Sequence, residues 1–166
     1  MINFTPKIGK GVRELLKNRD LLYNIGRIVG YPYSIILPQE IEANIRKFRN
    51  VFKKHNMTYK IFFAHKCNKS SSILKECLKN NINIDVSSIN ELKHSLENGF
   101  IGQKILATGP KNKEFIWLAL EHGVTLSIDS FAELEIIALL SKELNKKANI
   151  LIRINNANSN MLKKKF

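Results

Sequence analysis

Ile61-Phe62-Phe63-Ala64-His65-Lys66-Cys67-Asn68-Lys69 opens as an apolar, β-prone run and ends abruptly in polar residues. Strands covered on both faces read as short continuous apolar runs, as in parallel α/β sheets. Lys66 stands where such a strand stops. Ser70, Ser71 and Ser72 follow as helix N-cap candidates, then Ile73, Leu74 and Leu78 on one apolar face. The unit reads strand, polar turn, helix. In a βα barrel the chemistry gathers at the carboxyl ends of the strands, so Lys66 is placed as a functional residue. The plain alternative is a strand-end lysine in water, because lysine is almost never fully buried without a partner.

From Lys60 onward the pattern repeats. Apolar strands begin near Lys60, Ile82, Lys104, Val124 and Asn149, and each of the first four precedes an amphipathic helix. The spacing of roughly 20–25 residues suits a strand, a helix and two short loops. Ser88-x-x-Glu91 and Ser130-x-x-Glu133 are capping boxes at equivalent places after two of the strands. Leu92 with Leu96, Phe115 with Leu118 and Ala119, and Leu134 with Ile137 and Ala138 mark three core faces. Trp117 is expected to pack between helices. Strands alternating with helices give a parallel sheet with right-handed crossovers. No Gly-x-Gly-x-x-Gly is present, which favours a barrel over a dinucleotide-binding sheet. The expected fold is α/β, a partial (β/α)8 TIM-type barrel with about five parallel strands and intervening helices.

Ahead of the repeat, residues 1–32 form a leading segment with a helix expected from Val12 to Tyr23, carrying Leu15, Leu16 and Leu22. Gly9-Lys10-Gly11 is no phosphate loop, since no strand precedes it. The barrel portion is assigned to residues 33–166. Tyr33-Ser34-Ile35-Ile36-Leu37 reads as a short strand. Pro38 then opens a helix from Gln39 to His55, with Ile41, Ile45, Phe48 and Phe52 as its buried stripe.

Composition narrows the classes. The chain has 166 residues, 44% of them hydrophobic, enough for one domain with a core. Its formal charge of +13 invites a nucleic-acid reading. The lysines are spread over every expected helix surface, however, and only Lys163-Lys164-Lys165 forms a run. A solvated basic surface is the reading taken, without a specific nucleic-acid partner. No apolar run approaches the ~18 residues of a membrane span. Met1-Ile2-Asn3-Phe4-Thr5-Pro6 lacks a signal peptide's basic and apolar regions. Two isolated cysteines, Cys67 and Cys77, make neither a disulfide framework nor a metal site, and suit reduced thiols in a cytoplasmic protein.

Five motifs in order carry a family resemblance. Phe63-Ala64-His65-Lys66-Cys67-Asn68 resembles the Tyr-Ala-x-Lys-Ala-Asn signature of the fold-type III pyridoxal-phosphate decarboxylases, the ornithine, diaminopimelate and arginine group. Cys67 replaces the usual alanine. Ile84-Asp85-Val86-Ser87-Ser88-x-x-Glu91-Leu92 is similar to Phe-Asp-x-Ala-Ser-x-x-Glu-Leu, and Ile105 to Lys111 to Ile-x-x-x-Gly-Pro-x-Lys. Ile128-Asp129-Ser130-x-x-Glu133-Leu134 resembles Val-Asp-Ser-x-x-Glu-Leu, and Leu151 to Asn155 resembles Leu-Arg-Ile-Asn. Ser159 to Phe166 resembles a Ser-Lys-Phe-Gly segment just before the family's sixth strand. The His65-Lys66-x-Asn68 variant looks most like a subgroup of siderophore and antibiotic pathways, some of whose members act on carrier-bound amino acids.

The resemblance implies pyridoxal 5'-phosphate as cofactor, an amino-acid or diamino-acid substrate that is free or carrier-bound, decarboxylation, and a homodimer with sites shared between subunits. Lys66 is implied as the catalytic lysine, forming the Schiff base. Asp85 and Arg153 are implied as cofactor-binding residues on neighbouring strands, with a mutual ion pair as the plain alternative. A primary amine at a strand end can lose its proton and attack an aldehyde. His65, next to Lys66, is expected to point the other way, against a helix. His55, His94 and His122 are expected at the surface, and Asp129 with Ser130 as structural. A complete barrel takes roughly 200 residues or more. The expectation is therefore the amino-terminal part of such an enzyme, without its glycine-rich phosphate loop, pyridine partner or β-domain, and inactive alone. The alternatives are a racemase-like or cofactor-carrying protein, and a non-catalytic remnant or basic binding module.

Overall fold

The computed structural model describes residues 8–154. The resemblance at Ser159–Phe166, the lysine run at 163–165, the opening hexapeptide and Asn155 lie outside the described residues. The chain divides into two compact units, Met1–Tyr59 and Lys60–Phe166.

Within the first unit the described residues form three helices: α1 (Lys10–Lys17), α2 (Arg19–Val29) and α3 (Gln39–Lys54). The single helix expected from Val12 to Tyr23 is thus two. Asn18 ends α1, and its side chain accepts the N–H of Leu21, 3.1 Å away, to start α2. A short amide side chain competes with helix continuation and favours a cap, which is the physical reason for the break. Residues 33–37 are not a strand. A strand needs a ladder partner, and the sheet of this protein takes none from that stretch. Pro38 does open α3, whose Ile45 is buried; Phe48 of the expected stripe is 58% exposed.

The second unit is the α/β repeat. Its strands are β1 (Phe62–Ala64), β2 (Asn83–Val86), β3 (Ile105–Ala107), β4 (Thr125–Ile128) and β5 (Asn149–Ile152). Its helices are α4 (Ser71–Lys79), α5 (Ile89–Glu97), α6 (Lys113–Glu121) and α7 (Phe131–Glu143). All four strand pairings are parallel and the sheet order is β1-β2-β3-β4-β5. Sequential order without reversal is barrel topology; a doubly wound sheet would switch direction part-way. The five carboxyl ends therefore share one rim, carrying Lys66, Asp85, Gly109, Asp129 and Arg153.

Register separates the two faces of the sheet. Ile84, Val86, Ile105, Ala107 and Leu126 are fully buried beneath the helices, with Leu74, Leu92, Ile116, Leu120 and Ile137 opposite. The other face carries Ala64, Asp85 and Leu106 in one cross-strand row, all half-buried. β5 is exposed on both faces, and Ile152 at its end is 69% exposed.

Helix starts follow the sequence closely. Ser70, Ser88, Asn112 and Ser130 are the N-caps of α4 to α7, each accepting a backbone N–H within its first turn. Two core expectations fail. Trp117 lies on the outside of α6, 44% exposed. On α7 the buried stripe is Glu133, Ile137 and Leu140, while Leu134 and Ala138 face outward. α7 packs chiefly on α6 and β4, and Leu134 and Leu139 on its other side are exposed. No described helix is long and apolar enough to cross a membrane.

Candidate active site

The lysine turn follows directly from β1. After Ala64 the chain makes a 3-10 turn, His65–Cys67, closed by the N–H of Asn68 donating to the His65 carbonyl at 3.2 Å. The turn reverses burial between neighbours: His65 is buried and Lys66 is exposed at the rim. Asn68 then accepts the Ser70 N–H through its Oδ1 at 3.0 Å, and Ser70 caps α4.

Three lysines stand on the loops that follow β1 and β3, and two of them are committed. Lys69 Nζ lies 3.4 Å from Glu91 Oε1. Lys111 Nζ lies 3.2 Å from Glu133 Oε2 and donates to the Gly109 carbonyl at 2.6 Å, its side chain wholly buried. Among the described residues no ion pair or hydrogen bond engages the ammonium of Lys66. Of these three loop lysines, Lys66 alone carries no such bond.

The two committed glutamates are the capping-box residues, and each ties one repeat unit to the next. Glu91 Oε2 accepts the Ser87 N–H at 2.8 Å and the Ser87 hydroxyl at 3.1 Å. Glu133 accepts the Asp129 N–H at 3.1 Å and the Lys111 N–H at 3.0 Å. Burial alone would raise both carboxyl groups. The N–H and hydroxyl of Ser87 with Lys69 outweigh it at Glu91, and Asp129 with Lys111 outweigh it at Glu133, holding both below the ordinary carboxylate range. Neither role was visible beyond the box itself: a pairing across 22 residues depends on the register of the sheet.

Asp85 is the last but one residue of β2, paired with Ala64 of β1. Its Oδ1 accepts the Thr108 hydroxyl at 2.6 Å. Arg153 follows β5, where its N–H donates to the Ile128 carbonyl at 3.1 Å and its Nε lies 3.2 Å from Asp129 Oδ1. Asp85 and Arg153 therefore do not stand on neighbouring strands. β3 and β4 lie between them, and their partners are Thr108 and Asp129. The wider strand spacing follows from sequential order, which puts β2 and β5 three strands apart. Asp129, expected as structural, is the arginine's anchor.

His65 faces the helix layer as expected, but His94 is no surface residue. It is half-buried, with its Nδ1 at 3.1 Å from His65 Nε2 and its Nε2 at 2.9 Å from Ser71 Oγ. The cysteines differ. Cys67 is exposed beside Lys66, whereas Cys77 is wholly buried in α4. Burial, with Glu76 adding to it, pushes the Cys77 thiol up to about 12. A thiol-disulfide reagent at neutral pH is expected to modify Cys67 within minutes and leave Cys77 untouched until denaturant is added. Peptide mapping with equal labelling of both would contradict that burial.

The family model for the pyridoxal-dependent decarboxylase, pyridoxal binding domain, matches residues 38–165. The chain belongs to this family. Among relatives of this pyridoxal-binding domain, the diaminopimelate decarboxylase of Campylobacter jejuni is 32% identical over 126 residues, covering 75% of this chain and 31% of that protein. An uncharacterized protein of Sinorhizobium fredii, y4yA, is 29% identical over 139 residues, covering 78% and 30%. The crystal structure of diaminopimelate decarboxylase from M. jannaschii in co-complex with L-lysine superposes with a TM-score of 0.75 at 29% identity, covering 85% of this chain and 34% of that one. The chain thus spans about three-tenths of the length of the relatives it matches.

The cofactor of the family is pyridoxal phosphate, and the donor set here fits its aldehyde end. Lys66 supplies an unengaged primary amine at the rim. Asp85 has its Oδ2 free of the Thr108 bond, and the small side chain of Ala64 beside it leaves room on that face. No glycine-rich loop for a phosphate occurs in the 166 residues.

Proposed function

We propose that residues 33–166 are the lysine-bearing portion of the barrel of a pyridoxal-phosphate-dependent amino-acid decarboxylase, with Lys66 as the residue that holds the cofactor covalently. The observation that carries this reading is the unengaged amine of Lys66, beside loop lysines that are both ion-paired. Bound there, the cofactor supplies an electron sink for the charge left when carbon dioxide departs. The chain's own part is to hold and present groups. Lys66 offers a primary amine at the carboxyl end of β1, the group that can condense with an aldehyde. Asp85, fixed by the Thr108 hydroxyl, puts a carboxylate on the floor of the site. Arg153, held by Asp129, puts a guanidinium at the far side of the same rim.

The substrate class we assign is an amino acid with a second amino group. Support comes from relatives named for diaminopimelate and from the M. jannaschii protein's co-complex with L-lysine. Delivery on a carrier protein, a homodimer with shared sites and a cytoplasmic setting are parts of the same reading. Exposed Cys67, unpaired with buried Cys77, agrees with the last of these.

Borohydride reduction in the presence of pyridoxal phosphate, followed by peptide mapping, tests the assignment. Label is expected on Lys66 in excess over every other lysine, and is expected to vanish in Lys66→Ala. Preferential label on Lys69 or Lys111 would overturn it.

A further inference from the structure

His65 and His94 have no part in the reading above, yet they form the most unusual buried contact in the second unit. His65 is 1% exposed and immediately precedes Lys66 in the same 3-10 turn. Its ring meets that of His94, on α5, edge to face with centroids 5.2 Å apart, the nitrogens sharing a hydrogen bond. His94 continues to Ser71, the first residue of α4. A hydrogen-bonded row thus runs from the start of α4, through α5, into the turn that carries the lysine. On the other side of Lys66, Lys69 pairs with Glu91, also on α5. The turn is fastened to one helix both before and after the lysine.

The row is costly as core packing. His65 Nδ1 is buried without a hydrogen-bond partner among the described residues. An unsatisfied buried polar group costs roughly 1–3 kcal/mol, which an apolar side chain at the same place would avoid. The row is also sensitive to protons. One proton lies between His65 Nε2 and His94 Nδ1; charging both rings sets donor against donor across 3.1 Å. A cleft of about 290 Å³, lined by His65, Lys69, Asn90, Glu91 and His94, gives solvent a route to the pair.

We propose that His65, His94 and Ser71 are positioning residues for Lys66: the row holds the lysine turn against α4 and α5 while it is neutral, and its protonation releases that turn. The catalytic weight of this rests on the assignment of Lys66 above. The groups facing the pair are Glu91 of α5 and Lys69 of the loop after β1, with the uncharged Ser71 on α4. Burial lowers the His65 ring most; Glu91 opposes that, and His94 and Lys69 reinforce it. A ring held low when folded stabilises the closed turn above the ordinary histidine value of about 6.5 and loses that stability as pH falls.

Competitive acetylation read by mass spectrometry tests this without any cofactor, so a wrong assignment of Lys66 shows in the borohydride experiment and not here. Lys66 is compared with Lys53, an exposed lysine in the last turn of α3, between pH 5 and 8. In the unmodified chain the Lys66-to-Lys53 ratio is expected to step by about threefold or more, the size of an ordinary contact coupling. The step should coincide with the titration of the His65 ring resonances by NMR. His94→Gln, whose amide can bond to both neighbours in either protonation state, is expected to remove the step and keep the high-pH ratio. His94→Leu is expected to give the low-pH ratio throughout. A flat ratio in the unmodified chain, where folding of a variant is not at issue, overturns the proposal. So does a step that survives in His94→Gln.

Discussion

Purified alone and supplied with pyridoxal phosphate, the 166-residue chain is expected to release no carbon dioxide above blank from ornithine, lysine, diaminopimelate, arginine or glutamate. β1 and β5 each have one neighbour in the sheet, so the inner face that carries Asp85 is open to water. Orientation of reacting groups is worth factors of about 10⁵ or more in rate, and an open face orients little. Only the aldehyde end of the cofactor has a matching donor set here. Lys66 can still be captured by the cofactor as an accessible amine, so trapping and turnover should separate. The apolar side of β5 adds a second observable. Phe131, Ile152 and Ile154 are each more than two-thirds exposed, which favours self-association. Turnover that disappears in Lys66→Ala would show that these residues complete a site by themselves.

The second large effect is expected at Lys111 and Glu133. The Lys111 side chain has no exposure and Glu133 little, so Glu133→Ala strands a buried ammonium with one carbonyl for company. Breaking a buried pair from one side costs about 3–5 kcal/mol. Lys111→Met should cost less, because Glu133 keeps two backbone N–H donors. Urea unfolding of both variants at neutral pH checks the order; equal losses would mean that the backbone bonds contribute nothing. Acid should act the same way. Glu133 is held below its ordinary value despite burial, through Asp129 and Lys111. Its stabilisation is therefore complete above about pH 4.3, the unfolded value, and is lost as pH falls through the lower folded one. Glu133→Gln should flatten the acid limb of the stability curve and leave its alkaline limb in place.

The strands were legible because each apolar run is short and bounded by polar residues, a pattern that survives without knowledge of tertiary contacts. The α5 and α7 capping boxes were equally plain, since they are local. Tyr33–Leu37 has the same apolar texture and is no strand, because pairing and not texture makes one. Leu134 and Ala138 lie on a helix whose apolar residues are spread around its axis, so periodicity cannot choose a face. Among the proposed site residues, Lys66 is marked by position and motif together. Thr108 beneath Asp85, Asp129 beside Arg153 and His94 behind His65 are not, since each partner comes from another repeat unit.

Every strand of the sheet after β1 pairs with the strand made just before it. That order keeps long-range loop closure small, because no segment waits for a distant one. A nascent chain can lay down β1 and α4, then add each unit onto the last as it leaves the ribosome. The Lys69–Glu91 and Lys111–Glu133 contacts form on the same schedule, each between one unit and its successor. Lys66, in the turn after the first strand of that series, is the earliest of the rim residues to be synthesised, and its turn gains its hold on α5 one unit later.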